Sequence, residues 1–532
     1  MILVLFGFLV QSQDSVFLAY PLLFGVWLWK NIDTHIETYA NSLLVFLSGL
    51  LGLLILVKGS FVIEVVGVLI LCAALLLYRR RYLSFLLLCL APVVFCIGFW
   101  LLTQTSLTNL TLYFLSAVEF SQGYTEAMAL RHEIHDAILF AAASASLLMY
   151  LFYKIKANTK TKSFDKATPI FLGLLFAYVL FLSFKAGLVR NDLHSIIAGN
   201  MLWLSAVLIW LITHPHPQPS SQQLLITIKQ SKWLKTLCAL LCLCLLSIQA
   251  RYVVASIVLP QIHYQIPLIE LGRFLTHTLS DQSWEDQYQQ GLNAIAHQHP
   301  LPTLTGTSDI YEHQQAALLA SNNIWNPRPV FQSYAAYTPK LAQINQGHLL
   351  SDHAPDHLFF NVEPIDNRYP TLNDGLSWPV LLQHYQPSPI QTKDFLILDR
   401  ASSAKTFMPP TTIHEQSAQL NEQITVPNLN KPVFVELHIE PSLFGKIAAT
   451  LYKTSELRIE VALDNGEIKQ HRIIANMTKT GFVISPYVAS RDDFAKLYLS
   501  KNDLARVRSF KVMPYNGSWL WKDNYQVIFK QI

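Results

Sequence analysis

Ten residues, Lys185-Ala-Gly-Leu-Val-Arg190-Asn-Asp192-Leu-His194, hold four ionisable side chains between two long apolar stretches. Arg190 is permanently charged, and its planar fork matches phosphate or pyrophosphate oxygens; Lys185 supplies a second cation. His194 can shuttle a proton, and Asp192 can orient that ring or act as a base itself. The competing reading is that these charges end helices and meet lipid headgroups. Cations are disfavoured on the outer side of a membrane, so their presence there argues for a task.

A second cluster is Glu126, Arg131, His132, Glu133, His135 and Asp136. On a helix, Arg131 and His135 share a face, as do His132 and Asp136. The two histidines beside carboxylates could hold a divalent cation, but the spacing is no recognised metal motif, and a solvated helix face explains it equally well. No other cofactor is indicated. In the carboxyl-terminal half the densest stretch is Trp325-Asn-Pro-Arg328-Pro-Val-Phe331-Gln332-Ser-Tyr334-Ala-Ala-Tyr337-Thr-Pro339. Rings stack on sugars and amides bond hydroxyls, so Trp325, Arg328, Gln332, Tyr334 and Tyr337 could form a glycan or acceptor surface. Asp366, Arg368 and Asp374 follow, with His348, His353 and His357 nearby. The plainer alternative is a structural loop whose prolines fix turns and whose aromatics fill a core. There is no Gly-rich phosphate loop, Walker lysine, GxSxG elbow or zinc signature.

Positioning these residues falls to a chain that changes solvent partway along. Residues 1–258 carry apolar segments at about 16–29, 41–57, 60–78, 83–103, 136–153, 168–184, 199–214 and 236–258, plus a short opening stretch, and no later segment is long enough to cross a bilayer. Eight or nine spans are therefore expected. Met1–Val10 lacks the basic start and small-residue cleavage site of a signal peptide. If the spans alternate, Arg79–Arg81, Lys154–Lys166 and Lys229–Lys235 all fall on one side, which the positive-inside rule makes cytoplasmic. The loop 103–135, the loop 185–199 and everything after Pro260 then share the other side, which is the periplasm if this is the inner membrane of a Gram-negative bacterium. Leu107–Phe120 reads as a helix lying in the interface.

The net charge is +4 over 532 residues, and the basic residues sit mostly in short loops, which excludes the basic face of a nucleic-acid binder. All six cysteines lie in apolar segments, consistent with an oxidising compartment for the rest. Residues 265–400 mix helical runs with short apolar strands and predict an α/β domain, and Ser402–Thr412 reads as a linker. Residues 415–532 carry strand patterns at Val433–Ile439, Leu457–Leu463, Arg472–Asn476, Phe482–Ile484, Val507–Val512 and Gln526–Phe529, with Asn465-Gly466 as a type I′ hairpin signal, and predict a β-sandwich.

The stretches PRPVFQSYAAYTP, APDHLFF, IDNRYPTLNDG, FKAGLVRNDLH and GFVISPYV resemble those of uncharacterised bacterial polytopic membrane proteins. More broadly, the layout resembles GT-C glycosyltransferases and O-antigen-ligase-like enzymes, some of which glycosylate pilins. That resemblance implies a polyprenyl-(pyro)phosphate sugar donor and an envelope glycan or protein acceptor. The donor phosphates would be held by Arg190, Lys185 and Arg131. The acceptor hydroxyl would be deprotonated by a carboxylate (Asp192, Glu126 or Asp14) or by His194. Asp14 enters because lipid-phosphosugar transferases place a carboxylate in the first outer loop; its alternative is a plain helix-end Asp. The chain departs from the ligases in having fewer spans, and their signature does not map residue by residue. The contrasting expectation is a non-catalytic scaffold for envelope polysaccharide assembly or export.

Overall fold

A computed structural model describes residues 13–32, 37–130, 134–159, 167–192, 194–214, 236–237, 239–241, 243–244, 247, 284–390, 392–401, 406–498 and 503–532. The chain forms two compact units, one made of residues 1–118 and 130–278 and the other of residues 119–129 and 279–532.

The first unit is helical: α1 (Gln13–Asn31), α2 (Glu37–Val57), α3 (Phe61–Tyr78), α4 (Tyr82–Leu102), the start of α5 (Leu107–Met128), α6 (His135–Thr159), α7 (Ala167–Leu188) and α8 (Ser195–Thr213). Among the described residues, α3, α4, α6, α7 and α8 are long and apolar enough to cross a membrane. Five such helices are fewer than the eight or nine expected. The apolar part of α2 is only Asn41–Val57, while α1 carries Asp14 and Lys30 in its terminal turns. The expected last span at 236–258 lies mostly outside the described residues.

Hydrogen bonds fix which helix ends lie together. At one end, Asp14 of α1 pairs with Lys58 between α2 and α3 at 2.6 Å, and Asn200 of α8 donates to Ser15 Oγ at 3.2 Å. Trp29, at the other end of α1, donates to Thr168 at the start of α7 at 3.2 Å. This alternation matches the one read from the basic loops. Close approach of α2 and α4 rests on glycine: a Cβ on Gly52 would sit 2.0 Å from the Pro92 carbonyl oxygen. Association in lipid relies on such small residues, because no hydrophobic gradient separates helix from tail.

In the second unit, β1 (Thr307–Ile310), β2 (Ile324–Trp325), β3 (His357–Phe360), β4 (Tyr385–Pro387) and β5 (Leu396–Arg400) form one sheet in the order β2-β1-β3-β5-β4. β1 is parallel to β2 and β3, whereas β5 is antiparallel to β3 and β4. The helix Pro339–Leu350 is started by Thr338, whose hydroxyl accepts from Leu341 N, with Pro339 in its first turn.

Two four-stranded antiparallel sheets follow. One contains β7 (Ile424–Thr425), β9 (Leu457–Leu463), β10 (Ile468–Ile473) and β12 (Val507–Pro514); the other contains β6 (Thr411–Gln419), β8 (Val433–His438), β11 (Phe482–Ser485) and β13 (Asn524–Gln531). Leu457, Ile459, Val461 and Leu463 alternate inward along β9, as Tyr525, Val527 and Phe529 do along β13, and both sets join one apolar core. Two local expectations are corrected. Arg472–Asn476 is not a strand, since β10 ends at Ile473 and Ala475–Thr478 is a helical turn. The Asn465-Gly466 hairpin is real, but its loop is Asp464–Gly466, with positive φ at Gly466 (+88°) and not at Asn465. That is the three-residue loop closed by a left-handed glycine rather than type I′. The linker reading of Ser402–Thr412 overlaps the start of β6, and residues 402–405 lie outside the described residues.

Gly52→Ala is expected to lower stability by about 1–3 kcal/mol through forced separation of α2 and α4. Gly98→Ala, where a Cβ meets nothing within 4 Å, should leave the thermal midpoint of the detergent-solubilised protein unchanged. Equal midpoints for the two variants would contradict the packing described.

Candidate functional site

In the first unit the chain leaves α7 at Leu188 and turns through Asn191 in the left-handed region (φ 50°) before entering α8. Asn191 is buried and its amide donates to Asp136 Oδ2 at 3.1 Å. Asp136, fully buried in the first turn of α6, also accepts from Ser247 Oγ at 3.0 Å and meets His135 Nε2 at 3.3 Å. A buried carboxylate is tolerated only with such partners, so Asp136 pins the turn beneath the candidate residues.

Above it, Asp192 is held from both sides. Arg190 Nε donates to Oδ2 at 2.7 Å; Oδ1 lies 2.5 Å from His194 Nδ1 and accepts from the His194 backbone N–H at 3.0 Å. Burial pushes the Asp192 carboxyl up, but the His194 ring and backbone N–H, with Arg190, outweigh it and hold it well below the usual carboxylate range. Asp192 is therefore ionised at neutral pH and poor as a proton acceptor. Through Nδ1 it orients His194, whose side chain is 45% exposed. The arrangement can do proton transfer at the ring's other nitrogen, beside a cation.

The remaining predicted residues are distributed differently. Lys185 lies half-buried in the last turn of α7. Asp14 is paired with Lys58 in the first turn of α1. Arg131 and His132 lie outside the described residues. Among the described residues, no group of three His, Cys, Asp or Glu side chains is placed to hold a metal ion.

Glu126 belongs to the second unit, not to the one that contains Asp192. There its carboxylate accepts from Ala475 N at the start of the Ala475–Thr478 turn, while the carbonyls of Glu126 and Ala127 accept from Arg472 Nη2 at 2.8 and 3.0 Å. Arg368 Nη2 donates to the same Ala127 carbonyl at 2.9 Å. Tyr337 donates to Phe120 O at 2.7 Å, and Thr338 donates to Glu119 at 2.6 Å. Residues 119–128 of α5 are thus built into the second unit.

The aromatic stretch is divided between surface and interior. Trp325, Gln332 and Tyr334 are half-buried, but Arg328 and Tyr337 are interior, which removes them from an open glycan surface. Arg328 pairs with Asp309 at 3.2 Å, both fully buried, and its guanidinium lies 3.3 Å from the Tyr311 ring centroid. Burial opposes its charge, and Tyr311, Asp309 and Asp374 more than restore it. Around this pair, Asn373 donates to Glu312 at 2.8 Å and Asn345 to Asp374 at 3.1 Å. Sequence reasoning missed Asp309, Glu312, Asn345 and Asn373; the available signal was the pair of acidic residues that flanks the apolar Ile310-Tyr311. The network gathers at the carboxyl ends of parallel β1 and β3, where open α/β sheets commonly bind ligands. Here those ends are filled by the protein's own buried side chains.

These features define a class: a protein of membrane-length helices followed by a unit of mixed sheets and helices. No family model, curated protein or solved structure matches the chain.

Burial, against the Asn373 hydrogen bond and Arg328, pushes the Glu312 carboxyl up to about 8, and burial raises Asp374 to about 6. Between the unfolded value near 4.5 and about 8, the folded chain keeps a proton that the unfolded chain releases, so stability falls as pH rises through that window. From pH 6 to 8 Glu312 carries most of this fall. Glu312→Gln is expected to flatten the slope of thermal midpoint against pH there; an unchanged slope would contradict the assignment.

Proposed function

We propose that this chain is a membrane glycosyl- or oligosaccharyltransferase. Its donor is a polyprenyl-(pyro)phosphate-linked sugar, and its acceptor an envelope glycan or a protein such as a pilin, at the periplasmic face of a bacterial inner membrane. The observation that carries this reading is the Arg190–Asp192–His194 arrangement at the ends of two membrane-length helices. His194, oriented by Asp192, takes the proton of the acceptor hydroxyl. The acceptor oxygen then bonds to the anomeric carbon as the bond to phosphate oxygen breaks, and the phosphate leaves with the electron pair. Arg190 and Lys185 stabilise that developing charge, the term expected to supply most of the rate. Placing residues 119–129 in the second unit supports one shared side for the loop and the carboxyl-terminal region. The two sheets with a common core are read as a sandwich that orients the acceptor.

One observation favours the scaffold reading. Leu443, Phe444, Ile447 and Leu451 are exposed along the helix Leu443–Leu451, next to exposed Trp519, as a partner-binding face would be.

Transfer of labelled sugar from a polyprenyl-phosphate donor, measured in membranes with equal protein content, separates the two. His194→Ala should reduce transfer by about 10²–10⁴-fold, and Asp192→Asn should reduce it less, by loss of ring orientation. A scaffold tolerates both changes.

A further inference from the structure

The first unit contains a cavity of about 310 Å³ at the ends of α1, α2, α3 and α4 opposite the Asp14–Lys58 pair. Its polar lining includes Arg80, Arg81, Asn31, Asn41 and Ser84, and among the described residues none that lines it carries a carboxylate. Leu28, Leu44 and Leu76 form an apolar wall continuing along the helices. Ser84 donates to Asn41 at 3.0 Å, joining α4 to α2 across the rim.

The loop makes this geometry. Only Arg79, Arg80 and Arg81 separate α3 from α4. The turn closes with Arg80 N to Leu77 O and Arg81 N to Leu76 O, and Arg80 takes a positive φ of 58°. A left-handed Arg is an uncommon conformation, kept here where the tight turn holds two cations at the mouth. Tyr78 and Tyr82 flank the arginines and are exposed, and Trp27 lines the cavity. Aromatic residues of this kind mark headgroup depth. An orientation signal needs cations but no cavity, so the positive-inside rule leaves the hollow unexplained.

We propose that this cavity binds the headgroup of an anionic phospholipid, with its phosphate between Arg80 and Arg81 and its acyl chains along the leucine wall. The volume suits a headgroup, and basic pockets between membrane helices on the cytoplasmic side are of this type. The site lies at the opposite helix ends from Arg190 and His194 and is independent of the proposed transfer reaction.

The test is native mass spectrometry of the full-length detergent-purified protein titrated with cardiolipin or with phosphatidylcholine. The expected result is selective retention of cardiolipin, reduced by about tenfold or more in an Arg80→Gln/Arg81→Gln variant. Lys154→Gln, a cation at the end of α6 outside the cavity, should retain cardiolipin. Ser84→Leu fills the cavity without changing charge and should lose the lipid as well, which keeps the test decisive if the double variant misfolds. No preference between the lipids, or equal retention by the cavity and control variants, would overturn the proposal. So would full displacement by millimolar inorganic phosphate, which would assign the cavity to a soluble anion.

Discussion

The carboxyl end of α5 depends on two arginines that arrive from far along the chain. A helix leaves its last carbonyls without intrahelical donors and carries a partial negative charge there. At Glu126, which is half-buried, and at Ala127, which is buried, the guanidinium groups of Arg472 and Arg368 satisfy those oxygens. Glu126 returns the favour by accepting from Ala475 N at the start of a helical turn, where the partial charge is positive. Removing Arg472 takes the donor from the Glu126 carbonyl, and the Ala127 carbonyl loses both its donors only when Arg368 goes too, so the two arginines tie segment 119–129 to the rest of the second unit. Because that segment continues a loop between membrane-length helices, it is the segment on which the proposed shared side of loop and second unit rests.

The same rule, that a buried polar group needs a partner, shapes the candidate site at smaller scale. Asp136 is tolerable in the first unit because Asn191 and Ser247 donate to it. Holding Asn191 down fixes the left-handed turn, and the turn sets Arg190, Asp192 and His194 on one another. The candidate residues are thus presented by a short, pinned connection rather than by a long loop, which limits the conformations they sample.

Much of this was legible in the residues. Long apolar runs predicted α3, α4, α6, α7 and α8, and period-two patterns predicted β8, β9, β12 and β13, because lipid and a two-sided core each impose a direct pattern on sequence. The largely polar β6, Thr411–Gln419, was invisible, since exposed residues dominate it and carry no alternation. Whether Arg328 and Tyr337 form a surface or fill a core stayed open in the residues, because nothing local shows that Asp309 and Phe120 complete them. Glu126 read as a loop carboxylate for the same reason: its partners lie some 350 positions away. The cluster at 190–194 was visible because its members are adjacent, although the role of Asp192 as a clamped orienter rather than a base needed the geometry.

The most direct measurement of the shared-side claim is labelling of single introduced cysteines with a membrane-impermeant maleimide in sealed, oriented vesicles, in a background with the six native cysteines replaced. Positions Gln104, in the loop before α5, and Asn465, at the β9–β10 hairpin, are suitable. The account predicts that both label from the same side of the membrane. Labelling from opposite sides would contradict it.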